Sequence, residues 1–184
     1  MISTEESLST ADERRKQLLA AALQVFAVHG YHGSSTATIA KEAGISHSYV
    51  FKLYPTKEDM FVAVVDFCYN RIIERFQQAA VGVTGTPSER LEKIGLSYAD
   101  ILRNRNLMLI QLHAFSASSI PAIREAVKHG LQRIVEYIQE ENGVTDDEIK
   151  QFIGQGFLVT INVALGIENL QESWAQTLNR DIIY

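Results

Sequence analysis

Apolar residues along this chain recur at three- and four-residue intervals and almost nowhere alternate, which is the signature of helices. Leu19, Ala22, Leu23 and Phe26 predict a first helix over residues 11–29, opened by a Thr10–Glu13 capping box and stopped by Gly30. Ser34 or Ser35 then caps a second helix, whose Ile39, Ala40 and Ala43 share one apolar face. Gly44 ends it where a left-handed turn costs least, Ile45 plugs inward, and Ser46 is placed to cap a third helix. That helix is short and amphipathic: Val50 and Leu53 face in, while His47, Ser48, Tyr49 and Lys52 face out. Pro55 blocks its continuation, and a Thr56–Asp59 box opens a long fourth helix over 57–79 carrying Met60, Phe61, Val64, Phe67 and Ile72.

The Gly/Thr/Pro cluster at 81–88 predicts a loop that ends in a Thr86–Pro87–Glu89 start signal, with a fifth helix to about Asn104. Residues 107–115 read as another helix. Pro121 opens a further one, stopped at Asn142–Gly143, and a Thr145–Glu148 box starts the next, expected to run to about Glu168. A last helix carries Leu170, Trp174 and Leu178. With 3 prolines, no alternating segment and no fixed-period repeat, the expected fold is all-α, with about nine helices.

Composition narrows the class. A chain of 184 residues with 46% hydrophobic and 21% charged residues has enough apolar content for a packed core. The N-terminus is polar, without an apolar signal region, and apolar runs stop well short of a membrane span, so a cytoplasmic protein without membrane contact is expected. The single Cys68 predicts a buried hydrophobe rather than a disulfide. Charge is segregated within the net −5: residues 1–13 carry −4, residues 14–57 carry +5, and the remainder carries −6. A basic segment around two short helices and a tight turn is the electrostatic footprint of a small DNA-binding domain on an acidic remainder. A helix held at a fixed angle by such a turn can enter a major groove.

Residues 11–62 resemble the DNA-binding domain of the TetR family of bacterial transcriptional regulators. The resemblance rests on a first helix ending in His29-Gly30-Tyr31, on the segment IAKEAGIS with its turn Ala43–Ser46, on the aromatic in the third helix, and on Tyr54 followed by Thr56-Lys57-Glu58. It implies a DNA-binding domain over 1–55 and a helical effector-binding and dimerisation domain over 56–184. It places His47, Ser48, Tyr49 and Lys52 in the groove, with Lys57 as a phosphate anchor. Ser35 and Thr36, at a helix N-terminus, fit further phosphate contacts. Two departures stand out: Ser48 where the family often has Gly, and Phe51 where a phosphate-touching Tyr is usual.

For the remainder, the resemblance implies a homodimer on a palindromic operator in double-stranded DNA. Gly156, Phe157, Thr160 and Ala164 of one helix, with Trp174 of the next, are the expected dimer surface. The same resemblance implies a pocket for a small hydrophobic effector that shifts the fourth helix and releases the operator. Phe67, Tyr98, Leu102, Met108 and Gln111 are its candidate residues, together with Leu112, His113, Phe115 and Tyr137. Each of these also suits an ordinary helical core, and His113 reads as a core histidine. No phosphate loop, nucleophile elbow or zinc spacing appears, and the histidines at 29, 32, 47, 113 and 129 include no i, i+4 pair, so neither an enzyme, a cofactor nor a metal site is expected. The competing expectation is a helical ligand-binding or interaction module without a DNA role.

Overall fold

The computed structural model describes residues 4–180 and 182, and only the backbone of 4–11, 141 and 142. Ten α-helices and one short 3-10 turn account for it, with no strand among the described residues. Compactness divides the chain into two units, Met1–Phe67 with Ile110–Val127, and Cys68–Leu109 with Lys128–Tyr184. No helix among the described residues is long and apolar enough to cross a membrane.

The first unit begins with α1 (Thr4–Gly33), which starts earlier than its apolar repeat indicated. The predicted Thr10–Glu13 box rests on a side chain outside the described ones. At Gly30 the backbone leaves the helix, with φ 67° and ψ 178°, a conformation that an L side chain rarely adopts. Carbonyls just before such a break lose their helical partners, and side chains take their place. His113 Nε2 lies 3.1 Å from the Ala27 carbonyl and donates to it, while Ser34 Oγ donates to the carbonyls of Gly30 (2.6 Å) and Val25 (3.3 Å). A Cβ at Gly30 would also crowd the imidazole, standing 3.1 Å from His113 Nδ1. Around this end, Leu18, Phe26, Ile39, Val50, Met60 and Phe61 are fully buried, with Phe26 and Phe61 meeting edge to face at 4.8 Å.

α2 (Thr36–Glu42) and α3 (His47–Leu53) follow, capped by Ser35 and Ser46, whose hydroxyls accept from the amides of Thr38 and Tyr49. α4 (Lys57–Ala80) opens with the predicted reciprocal bonds of Thr56 and Asp59. α7 (Arg105–Ser116) and α8 (Pro121–Asn142) also contribute to both units.

In the second unit the stretch expected as one helix from Pro87 is divided into α5 (Pro87–Leu96) and α6 (Tyr98–Leu102). Ser97 Oγ donates to the Ile94 carbonyl at 2.6 Å, a local bond that competes with helix continuation. The boxes Thr86–Glu89 and Thr145–Glu148 both form, the latter opening α9 (Asp146–Leu165). Glu148 also accepts from Ser88 Oγ at 2.6 Å, which ties the start of α9 to that of α5. α10 (Ser173–Asn179) is tied to α9 by Asn162 Nδ2, which reaches the Leu178 carbonyl at 3.2 Å.

An aromatic cluster of Phe76, Tyr98 and Phe152 lies inside this unit, with Phe76 central to the other two rings. Tyr69 of α4 is 1% exposed and lies flat on α8 at Gly130, where a Cβ would be 2.2 Å from its ring. Cys68 is buried, as expected, and its thiol is pushed up by burial.

Candidate nucleic-acid interface

The turn between α2 and α3 is built by backbone and side-chain bonds together. Gly44 takes φ 64°, its amide and that of Ile45 return to the carbonyls of Lys41 and Ala40, and Gln17 of α1 donates to the Ala43 carbonyl at 2.9 Å. This last bond fixes the turn against α1 and was not anticipated from sequence. Val50 then buries fully, which sets the rotation of α3 and leaves His47, Ser48 and Lys52 exposed, with Tyr49 half-buried.

The exposed residues are not equally free. His47 Nε2 lies 2.8 Å from Thr36 Oγ1, joining the N-termini of α2 and α3, and its ring packs against Phe51 at 5.0 Å between centroids. Phe51 is 44% exposed, so the aromatic that departs from the family pattern is at the surface beside His47. Ser48 Oγ is 3.2 Å from Ser46 Oγ. Lys52 makes no ion pair or hydrogen bond among the described residues, leaving its ammonium available to an anion. Ser35 Oγ both caps α2 and meets Thr38 Oγ1 at 2.9 Å.

Lys57 is placed differently. Its Nζ donates to the carbonyls of Tyr31 (2.9 Å) and Ser34 (3.1 Å) and sits 4.4 Å above the Tyr31 ring. An ammonium has three donors, so Lys57 ties α4 to the end of α1 with two and keeps one. The Tyr54 phenol behind α3 is pushed up by its burial, the nearby Arg15 opposing that shift in part.

Residues 18–64, which hold α2, α3 and the turn between them, match the family model described as bacterial regulatory proteins, tetR family. The chain carries the N-terminal domain of the TetR family. Among curated relatives of this chain, the fatty acid metabolism regulator protein of Bacillus subtilis is 27% identical over 139 residues, covering 73% of this chain and 70% of that one. The HTH-type transcriptional regulator YuxN of the same organism is 23% identical over 116 residues, and the match spans 40% of its length. The relatives are regulators of transcription rather than enzymes. The fold is shared with the crystal structure of the regulator FadR of B. subtilis in complex with stearoyl-CoA, at TM-score 0.69 and 21% identity over 89% of this chain and 93% of that one. FadR of Bacillus halodurans, a fatty acid degradation regulator, has TM-score 0.66 at 21% identity, over 90% of each chain.

The other predicted residues divide between the units. Phe67, Gln111, Leu112, His113 and Phe115 belong to the first, and His113 acts there as the cap on α1. Tyr98, Leu102, Met108 and Tyr137 belong to the second. Leu102, Met108 and Gln111 are buried and the rest half-buried. Thr160 Oγ1 donates to the Gly156 carbonyl at 2.8 Å, so its 3.1 Å bond to Tyr98 is one in which the tyrosine donates. Tyr137 lines an open cleft of about 390 Å³ shared with Asn70, Glu74, Arg133 and Glu136, a polar surface groove rather than an apolar chamber.

Of the predicted dimer residues, Thr160 is buried, Gly156, Phe157 and Ala164 are half-buried, and Trp174 is 53% exposed. Ile161 and Leu165 on α9 are exposed beside them, and no atom lies within 4 Å of a Cβ built at Gly154 or Gly156.

Proposed function

We propose that this protein is a cytoplasmic, ligand-responsive transcriptional repressor that binds a palindromic operator as a homodimer. The observation that carries the reading is α3: a capped, outward-facing helix on a fixed turn, inside the segment that matches the family model. In this reading residues 1–55 read the DNA. Ser48, Tyr49 and Lys52 meet bases, His47 does so from its Thr36 tether, and Ser35, Thr36 and the remaining Lys57 donor meet phosphate. Residues 56–184 dimerise and take the effector. Exposed Ile161, Leu165 and Trp174, next to the open backbone at Gly154 and Gly156, support a dimer surface on α9 and α10. Two recognition helices then fall about 34 Å apart, one DNA turn.

The effector in this reading is small and hydrophobic and is held within residues 56–184. The relative FadR, whose structure contains stearoyl-CoA, supports a ligand with an acyl chain. The effector releases the operator by acting on α4, the helix that begins at Lys57. Selection of tight-binding duplexes from a random pool tests the reading: a palindromic consensus bound by a dimer is expected, and failure to enrich any sequence overturns it.

A further inference from the structure

The Tyr69 hydroxyl is a buried polar group that the regulatory reading leaves without a task. It is buried, and its oxygen has no hydrogen-bond partner among the described residues. Buried donors are normally satisfied, so an orphan of this kind marks a partner still to come. The ring is also seated with unusual care. Gly130 lies in the interior of α8, where glycine weakens a helix, and only the missing Cβ admits the Tyr69 ring. Phenylalanine would fill the same notch without stranding a hydroxyl.

We infer that Tyr69 is a ligand-reading residue, whose hydroxyl donates to the neutral carbonyl oxygen of an apolar effector bound inside the second unit. This rests on the proposed effector-responsive function and names the chemistry of its ligand. Burial holds the phenol in its protonated, donating form, and the neighbouring Tyr98 and Cys68 reinforce this. A thioester or ester carbonyl needs only a donor, which the Tyr69 hydroxyl supplies, whereas a buried carboxylate needs a counter-charge as well. The Tyr98 hydroxyl is engaged with Thr160 and Met108 Sδ, and its ring packs on Phe76, which in turn meets Phe152, so these rings offer wall for a hydrocarbon chain.

The test compares full-length protein with its Tyr69→Phe variant, using stearoyl-CoA, methyl decanoate and decanoate as probes in calorimetry, with ligand-free melting recorded for both. The variant is expected to bind stearoyl-CoA and methyl decanoate about tenfold more weakly, as when a buried carbonyl loses its donor. Its ligand-free melting temperature is expected to be equal or higher, and decanoate to be bound poorly by both proteins. Weakening for only one of the two neutral probes assigns the carbonyl to thioester or to ester. Equal affinity of variant and wild type for both neutral probes overturns the inference, as does a ligand-free variant that melts several degrees lower. If operator DNA is selected but wild type binds neither neutral probe, the inference falls and the DNA reading stands. If acyl binding depends on Tyr69 but no duplex is selected, the DNA reading falls and the inference stands.

Discussion

Replacing Gly130 by alanine sets two effects of opposite sign against each other. Alanine in a helix interior is favoured over glycine by about 1 kcal/mol, so on propensity alone the change stabilises α8. The new methyl, however, would sit 2.2 Å from Cδ2 and 2.3 Å from Cγ of Tyr69, against ordinary contacts of 3.4 Å or more. Cγ is the root of the ring, and the ring is fully buried, so no cheap rotation relieves the overlap. Overpacking of this kind costs about 1–3 kcal/mol or more, and with an overlap exceeding 1 Å the upper end applies. The expected net loss is about 2 kcal/mol, equivalent to roughly 4–8 °C in a chain of this size. Urea unfolding at fixed protein concentration measures it, and a second background makes the reasoning refutable. In Tyr69→Ala, itself costing about 3–5 kcal/mol, the methyl meets open space and Gly130→Ala should stabilise by up to about 1 kcal/mol. The cycle then shows a coupling of about 3 kcal/mol. A Gly130→Ala change that stabilises the wild type, or costs the same in both backgrounds, would refute the argument.

Three other outcomes are expected. Lys52→Ala should leave thermal stability unchanged and reduce the salt dependence of DNA binding by about one unit of slope, whereas Lys57→Met should lower the melting temperature as well, because it strands the carbonyls of Tyr31 and Ser34. His113→Leu should cost about 1–3 kcal/mol by leaving the Ala27 carbonyl unpaired, and amide exchange should rise first at the end of α1. Glu148, held down to about 2 by the Ser88 hydroxyl first and then by Thr145, has a folded-state value below its ordinary 4.5, so its contribution is present above pH 4.5 and lost as pH falls towards 2. In Glu148→Gln, acid titration followed by circular dichroism should show a weaker decline of stability across that window; an unchanged slope would contradict the assignment.

What could be read from the sequence was what lies close along the chain. The boxes at Thr56, Thr86 and Thr145, the Ser46 cap and the stop at Gly44 all form where spacing placed them, because each is satisfied within one helical turn. The divided helix at Ser97 escaped because an apolar repeat continues through it, and only the hydroxyl's bond to Ile94 interrupts the ladder. The pairing of Thr36 with His47 and the inward turn of Lys57 depend on the angle between helices, which no local pattern encodes. Tyr69 was passed over for the same reason: its signal is a glycine on another helix, and the two are far apart along the chain.

The imidazole that closes α1 also sets an order of events in time. Ala27 and His113 are 86 positions apart, so a ribosome has released the whole of α1–α3 well before the group that completes α1 is made. Residues 110–127 belong to the same compact unit as the N-terminal helices. Helices α1–α3 are therefore synthesised before the segment that completes α1, and a product lacking residues 110–127 carries α3 on an unfinished support.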